Sequence, residues 1–258
     1  MRHLGIIVFL IGTVGSTAFA GLSASRFANE TYQSAKIRSR IGTFTLADQD
    51  FFSSSNSPES LSKPLSQLDI SKIPDVGSYE DLLANFKFIR DSYFMKDGQT
   101  PRRLTWLYPD DGCYARAELA AEKLIEIKKS TPKKVFAFGS LLAQTKNSPH
   151  GHVEWWYHVA VVYSVQGTAY VLDPALNPQQ PMTLKQWDIA IGGRNTNINY
   201  SICSKDTFDP DDICTNPNPV NEDFAAKEQS YFFPDEWNRL LELGRNPEKE
   251  LGNQPPWL

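Results

Sequence analysis

The stretch that decides the fold is residues 155–174, WWYHVAVVYSVQGTAYVLDP. Two runs of alternating side chains flank Gln166 and Gly167, and a glycine in a two-residue turn between such runs is typical of a β-hairpin. With these two residues at the turn, Val165 pairs with Thr168, and this pairing sets the register of both strands. The sequence therefore predicts an antiparallel hairpin.

The same register places His158 and Asp173 on one face of the sheet, at most one diagonal step apart. Their Cβ atoms then come within roughly 5–8 Å of each other, and only a β-bulge would change this placement. A histidine among apolar strand residues is costly unless its nitrogens have partners. A neighbouring carboxylate holds the imidazole in one tautomer and stabilises its charged form. The sequence thus predicts a His–Asp pair.

A second stretch, residues 109–126, PDDGCYARAELAAEKLIE, is predicted to form a helix that begins near Cys113. The first N–H groups of a helix lack partners within the helix, and the helix dipole places partial positive charge there. This position stabilises a thiolate. Asp110 and Asp111 oppose the effect by like-charge repulsion, so a nearby cation is needed. Taken alone, Cys113 is more simply interpreted as a buried, unreactive cysteine.

The order of the elements indicates the fold class. A helix is predicted after Ser78, which with Asp81 resembles a capping box, and the cysteine helix follows it. Strand-like alternation then begins with residues 134–144, and further helices are predicted after Thr183 and over residues 233–243. We therefore predict an α+β fold in which the cysteine-bearing helix packs on an antiparallel sheet. A cysteine at a helix start, followed by His and Asp on strands, is the papain-like and transglutaminase-like arrangement.

The composition excludes some classes of partner. Of the 258 residues, 41% are hydrophobic and 22% are charged, which is ordinary for a globular protein with one core. The formal net charge is -4 and no basic run stands out. We therefore expect no nucleic-acid partner.

The first twenty residues, MRHLGIIVFLIGTVGSTAFA, have a short basic start, an apolar core and a small-residue cleavage site. This pattern predicts a signal peptide that is removed after about Ala20. The apolar run is too short for a membrane span, which needs about 20 residues. An uncleaved anchor is the alternative. We expect a secreted or periplasmic protein with no membrane association after cleavage.

Residues 21–66 lack a clear domain pattern. Residues 51–67 are rich in Ser and Pro and are interpreted as a linker. Before them, residues 30–40 fit a short helix and residues 41–52 fit a strand. A pro-segment and a surface extension are both compatible with this region.

Export also changes how the three cysteines are interpreted, because exported proteins tend to pair their cysteines. Cys203 and Cys214 flank the polar residues 204–213 and are predicted to close a small disulfide loop. Such a loop stabilises by roughly 2–3 kcal/mol. Cys113 is then unpaired, which indicates an intermolecular partner or a reactive thiol.

Two other groups of side chains lie near the predicted hairpin. His150 and His152 with Glu154 resemble part of a metal site, but no second cluster completes it, so we predict no metal. Trp155 and Trp156 alternate along a strand, so one indole is expected to point into the core and the other outward. A carbohydrate-binding surface is the less favoured interpretation of this pair.

Four motifs together closely resemble the protein-glutaminase family of secreted bacterial protein-glutamine deamidases, over residues 73–187. They are DGCYARAELAAEKL, VFAFGSLLA, WWYHVAVVY and VLDPALNPQQPMTLKQW. The resemblance implies a catalytic triad with Cys113 as nucleophile, His158 as general base and acid, and Asp173 as orienting carboxylate. It also implies a transglutaminase-like core that needs no cofactor, and a pro-region that covers the active site. The domains are then a signal peptide (1–20), a pro-segment (21–66) and a catalytic domain (67–258).

The implied function is hydrolysis of glutamine side chains in proteins or peptides, through a thioester on Cys113, by a monomeric enzyme. Transglutaminase-like acyl transfer and cysteine peptidase activity use the same acyl-enzyme, so both stay open. A secreted binding domain with an inert Cys113 is the non-enzymatic alternative. The loop 145–152 is an addition to the family pattern, and residues from about Gly192 onward match it poorly.

Overall fold

The structure is a computed structural model that describes residues 22–41, 55–127 and 130–258. Its helices are α1 (Tyr32–Ile41), α2 (Tyr79–Asp91), α3 (Cys113–Glu126), α4 (Leu184–Ala190), α5 (Glu222–Ser230), α6 (Phe233–Glu242) and α7 (Pro247–Leu251). Its strands are β1 (Lys63–Pro64), β2 (Met95–Asp97), β3 (Thr100–Arg102), β4 (Lys133–Gln144), β5 (His152–Val165), β6 (Thr168–Leu172), β7 (Met182–Thr183) and β8 (Asn199–Cys203).

One antiparallel sheet of six strands organises the molecule, in the order β1-β8-β4-β5-β6-β7. The two long strands, β4 and β5, lie at its centre, and the short strands β2 and β3 form a separate hairpin. Helix α3 packs against β5. A cysteine-bearing helix on an antiparallel sheet is the α+β arrangement that the sequence predicted, and this prediction is confirmed.

The predicted hairpin joins β5 to β6. Val165 pairs with Thr168, as expected from the sequence. Gln166 and Gly167 have φ angles of 50° and 78°, and a type I′ turn needs positive values at both of these positions. The pairing continues without a register shift to the end of β6, so Asp173 is the first residue beyond that strand.

The start of α3 is shaped by close packing. The helix is buried from Cys113 to Ala121, because its several alanines let it approach the sheet closely. Gly112 precedes it with a φ of 75°, a conformation that residues with a side chain rarely adopt. A Cβ at Gly112 would lie 2.7 Å from the ring of Phe232. Both constraints favour glycine immediately before the cysteine.

Three further helix predictions are confirmed. The Ser78 side chain caps α2 by accepting a hydrogen bond from the backbone N–H of Asp81. Thr183 and Gln186 form a capping box at the start of α4. Helix α6 has a proline in its first turn, where the absent N–H costs no hydrogen bond.

The N-terminal region is more ordered than the sequence predicted. The short helix expected over residues 30–40 is observed as α1. The linker interpretation of residues 51–67 is wrong for the part that the structure describes, because β1 pairs with β8 there. Pro64 is tolerated in β1 because this is an edge strand. The expected strand over residues 41–52 lies outside the described residues except for Ile41, and the expected signal peptide lies wholly outside them.

The cysteines behave as the sequence predicted. Cys203 and Cys214 form a disulfide, while Cys113 is free and buried. Within the described ranges, no helix combines the length and the apolar character that crossing a bilayer would require.

Candidate active site

Cys113 is the first residue of α3, and its side chain is buried. The first turn of α3 is closed by the N–H of Arg116, which donates to the carbonyl of Gly112 at 3.0 Å. The N–H of Gly112 donates to a carboxylate oxygen of Asp111 at 2.8 Å. The thiol therefore lies at the positive end of a helix whose first turn is well ordered.

The two aspartates before Cys113 both have partners. Asp110 forms a bidentate ion pair with Arg239 of α6, with distances of 2.6 and 3.1 Å. Asp111 accepts hydrogen bonds from the Ser23 hydroxyl and from the N–H of Ala24. Burial raises the pKa of Asp111, although these hydrogen bonds act in the opposite direction. The repulsion that these carboxylates exert on a thiolate is therefore reduced, and Arg239 is a cation near this helix start that sequence reasoning did not identify.

The structure brings His158 and Asp173 together. Nε2 of His158 lies 2.8 Å from a carboxylate oxygen of Asp173, and both side chains are buried. The indole N–H of Trp187 donates to the same oxygen at 2.9 Å. The ring of Trp155 stacks on the imidazole at a centroid distance of 4.5 Å and an angle of 8°. These contacts fix the plane of the imidazole and the orientation of the carboxylate.

The charged forms of His158 and Asp173 stabilise each other. Burial opposes the charged form of His158, but the charge and hydrogen bond of Asp173, together with Cys113, outweigh it and raise the His158 pKa to about 9. Burial also acts to raise the pKa of Asp173, yet His158 and the Trp187 hydrogen bond bring it below its usual value. A cationic imidazole beside an ionised carboxylate is the state favoured at neutral pH.

The second ring nitrogen of His158, Nδ1, makes none of the contacts that hold Nε2. Nδ1 is buried and has no hydrogen-bond partner among the residues that the structure describes. Cys113 is close enough to influence His158, although the two do not form a hydrogen bond of standard geometry. Such bonds are often loose before substrate binds. Nδ1 is therefore the nitrogen available to exchange a proton with a reacting group.

All three predicted site residues line one small cavity between α3 and the sheet. Cys113, His158 and Asp173 share this cavity with Trp106 and Arg116. Sequence reasoning missed the contributions of Trp187, Trp155 and Arg116 to the site. Helical spacing could have marked Arg116, which follows Cys113 by three residues on α3, whereas Trp187 reaches the site only through the packing of α4.

Residues 22–26 run along the first half of β5, close to Cys113. The N–H of Trp156 donates to the Ala24 carbonyl at 3.1 Å, and the N–H of Arg26 donates to the Glu154 carbonyl at 2.8 Å. The Tyr157 hydroxyl donates to the Leu22 carbonyl at 2.6 Å. With the contacts to Asp111 described above, this segment touches both the sheet and the residues that lead into α3.

The expectation that one of the adjacent tryptophans points outward is wrong. Trp155 and Trp156 are both fully buried. The indole N–H of Trp155 donates to the carbonyls of Pro109 and Asp110 at 3.0 and 2.9 Å. That of Trp156 donates to the Ser23 carbonyl at 2.8 Å. Both strand faces are covered here, because the loop before α3 and the N-terminal segment pack on them.

His150, His152 and Glu154 do not form a cluster with ligand-like spacing in the described part of the chain. His152 lies 3.5 Å from Glu154, which is already paired with Arg26 at 2.6 Å. Within the described ranges, the group with ligand-like spacing is elsewhere and consists of Glu118, Glu122 and Asp206. Its carboxylates pair with Lys134 and Lys205, so these lysines already neutralise much of its charge.

Residues 82–191, which include Cys113, His158 and Asp173, match the profile of a family described as glutaminase. Over these residues the chain resembles the glutaminase family. The resemblance noted in the sequence is thereby confirmed, and with it the expectation of an enzyme. No curated protein matches the chain.

Solved structures share the fold of this chain. A crystal structure of pro-protein-glutaminase is 23% identical, with a TM-score of 0.51, and covers 73% of this chain and 67% of its own. A crystal structure of a pro-protein-glutaminase mutant is 20% identical, with a TM-score of 0.51, and the match covers 73% of this chain and 68% of the mutant chain. A crystal structure of protein-glutaminase is 25% identical over 62% of this chain and 88% of its own, with a TM-score of 0.47. The first two show a common fold.

Proposed function

We propose that the chain is a secreted protein-glutaminase, which hydrolyses glutamine side chains in proteins or peptides to glutamate and ammonia. One observation carries the proposal: Cys113, at the start of α3, lines the same cavity as the hydrogen-bonded His158–Asp173 pair. The glutaminase-family region contains all three residues. The fold shared with pro-protein-glutaminase supports the same assignment.

In the proposed first half-reaction, Cys113 is the nucleophile. Its thiolate attacks the carboxamide carbon, and the carbonyl π electrons move onto oxygen to give a tetrahedral intermediate. When this intermediate collapses, the C–N bond breaks and the leaving nitrogen takes a proton from the His158 imidazolium. Ammonia departs, and a thioester joins the substrate to Cys113.

Water completes the reaction. The neutral His158 takes a proton from a water molecule as its oxygen attacks the thioester. Collapse of the second intermediate breaks the C–S bond and returns the thiolate of Cys113 and the imidazolium of His158. The carboxylic acid product then ionises, and ammonia takes up a proton from solvent.

The geometry of His158 fits this role. Its Nε2 is held by Asp173, while Nδ1 has no partner within the described part of the chain. Nδ1 is therefore the proposed proton carrier. Because the His158 pKa is raised to about 9, the imidazole is charged at neutral pH and can both stabilise the thiolate and supply the proton for ammonia.

The developing negative charge on the substrate oxygen needs hydrogen-bond donors. The backbone N–H of Cys113 is in the first turn of α3, where N–H groups have no partner within the helix. This N–H is the proposed first donor.

Residues 21–66 are proposed to be a pro-segment. Residues 22–26 lie along β5 and contact Asp111, and two solved structures with the same fold are pro-forms. Arg40 of α1 supports the docking, because it forms an ion pair with Asp211 in the disulfide loop and lies over the Trp156 ring. Residues 1–20 are the proposed signal peptide, and sequencing the N-terminus of the exported protein would locate the cut expected near Ala20.

Limited proteolysis tests the pro-segment. Cleavage of the folded chain before about residue 67 is expected to increase ammonia release at least tenfold. Arg40→Ala, which loosens the docking, should raise the activity of the uncut chain. Arg38→Ala is the matched control, because Arg38 pairs with Glu30 inside the same segment. Equal activity before and after cleavage would remove the pro-segment from the proposal.

The central experiment measures ammonia release from a glutamine-containing protein, with and without an added primary amine. We expect ammonia and glutamate from the processed wild type, and loss of at least a thousandfold in activity for Cys113→Ser. His152→Ala, which changes a partly exposed histidine outside the cavity, should keep activity. No ammonia from the processed wild type would reject the proposal. Amine-crosslinked product in excess of glutamate would identify a transglutaminase instead.

A further inference from the structure

A buried guanidinium lies beside the triad. Arg116 is 2% exposed and occupies α3 one turn after Cys113. It lines the same cavity as Cys113, His158 and Asp173. None of the steps described above uses this residue.

One side of the Arg116 guanidinium holds the loop that leads to Cys113. Nη1 donates to the backbone carbonyls of Asp111 at 2.7 Å and Tyr108 at 3.1 Å. It also donates to the hydroxyl of Thr105 at 3.3 Å and to its carbonyl at 3.4 Å. These contacts span the loop from residue 105 to residue 111 and tie it to α3.

The other side of the guanidinium makes no hydrogen bond within the described residues, although the guanidinium carbon lies 6.0 Å from the centroid of the Trp106 ring. Nη2 is buried and has no hydrogen-bond partner among the residues described. An arginine keeps its charge in proteins, and a buried cation without full pairing costs stability. A group maintained at such a cost inside the active-site cavity calls for a role in that cavity.

Asp173 is the acidic group of that cavity. Its Oδ2 receives hydrogen bonds from both His158 and Trp187. Burial acts to raise the Asp173 pKa, and the charge of Arg116 is among the influences that lower it. The charged or titratable groups facing His158 are Cys113 and Arg116 of α3 and Asp173 after β6, while α4 contributes the neutral Trp187.

We propose that Arg116 is a positioning residue of the triad, whose buried guanidinium shares the cavity with Asp173, stabilises the charge of that carboxylate and so keeps His158 oriented. The same side chain, through Nη1, holds the loop before Cys113. This inference rests on the proposed function of the triad, and its test is chosen so that the two can fail separately.

The test is a nuclear magnetic resonance titration of the His158 imidazole in the full chain. The His158 resonances also report the ionisation of the adjacent Asp173, as an inflection at acidic pH. Arg116→Gln removes a cation near that carboxylate, so this inflection should move to higher pH by about half a unit or more. Arg116→Lys keeps the positive charge, so its titration should lie between those of the wild type and Arg116→Gln. A His158 titration in Arg116→Gln that coincides with the wild type would overturn the proposal.

Thr105→Val is the matched control. It removes one partner of Nη1 but leaves the Arg116 charge in place. We expect it to lower the melting temperature without moving the His158 titration. A shift as large as that of Arg116→Gln would assign the effect to loop packing and contradict the proposal.

Two further measurements complete the test. In the wild type, the Arg116 Nε–H resonance should move with the His158 titration, which needs no variant that might misfold; a resonance that is constant across this titration would contradict the proposal. After limited proteolysis, Arg116→Gln should release ammonia at least tenfold more slowly than wild type, with partial recovery in Arg116→Lys. If the wild type releases no ammonia while the His158 shift is observed, the proposed function fails and the positioning role stands.

Discussion

Nη1 of Arg239 in α6 lies 2.6 Å from a carboxylate oxygen of Asp110, three residues before Cys113. The pair crosses 129 positions of sequence and cancels one of the two negative charges at the start of α3. The same guanidinium donates to the backbone carbonyl of Asn147 at 2.8 Å. A distant helix thus supplies the cation that pairs with Asp110 close to Cys113.

Replacing Arg239 should slow the chemistry. In Arg239→Gln, Asp110 keeps its charge without a partner and repels the thiolate, so ammonia release should fall about threefold to tenfold. Adding Asp110→Asn to that variant removes the unpaired negative charge and should restore most of the rate of ammonia release. Steady-state ammonia assays of the processed proteins measure both effects.

Arg245→Gln is the control for that pair. Arg245 donates to the side chain of Asn147 at 2.6 Å and pairs with Glu250, not with Asp110. Its loss disturbs the same loop without changing the charge before Cys113, so the rate should stay within about twofold of wild type. A rate as low as that of Arg239→Gln would show that loop position, and not charge, governs activity.

His158 should make stability depend on pH. Its folded-state pKa of about 9 lies above the unfolded value of about 6.5. The stabilisation of the fold by the charged imidazole is therefore fully present below about pH 6.5, and it is lost as pH rises through about 9. We expect the difference in melting temperature between wild type and His158→Gln to narrow between about pH 6.5 and 9. A difference that stays constant over this range would contradict the raised pKa.

Trp187→Phe isolates the support of the triad carboxylate. The change removes the indole N–H that donates to Asp173 at 2.9 Å and keeps an aromatic ring in place. Loss of a hydrogen bond to a charged group should cost about 1.5–3 kcal/mol in unfolding free energy, and ammonia release should fall about tenfold. Trp237→Phe, at a partly exposed position of α6, should change neither quantity. Denaturant unfolding and the ammonia assay provide the measurements.

Gly112→Ala tests the close packing before Cys113. The new Cβ would lie 2.7 Å from the Phe232 ring at a φ of 75°, so strain and overpacking together should cost about 2–4 kcal/mol. Gly98→Ala is matched in backbone conformation, with a φ of 60° and no atom within 4 Å of the Cβ. It should cost only about 1–2 kcal/mol. Equal costs by urea unfolding would mean that the contact with Phe232 adds nothing.

The sequence supplied the parts of the site that depend on local pattern. Alternation and a two-residue turn determine the register of β5 and β6, so the proximity of His158 and Asp173 followed from counting residues. The helix start at Cys113 was visible for the same reason. Both are short-range consequences of the backbone periods of strands and helices.

The remaining parts of the site depend on packing between distant segments. Arg239 reaches Asp110 from α6, and Trp187 reaches Asp173 from α4, with no spacing that would mark either contact. The outward tryptophan was predicted wrongly because alternation describes a strand and not what covers it. The Ser and Pro content of residues 55–67 likewise concealed β1, whose two residues pair with β8.

The position of β1 has a consequence for the processed enzyme. A cut before residue 67 would detach Lys63 and Pro64 from Tyr200 and Asn199, and the six-stranded sheet would become five-stranded. β8 would then be an outer strand with unpaired backbone groups, which invites pairing with another chain. Cleavage would therefore open the site to substrate but make the protein more prone to aggregate. The uncut precursor would then be better suited to refolding and storage.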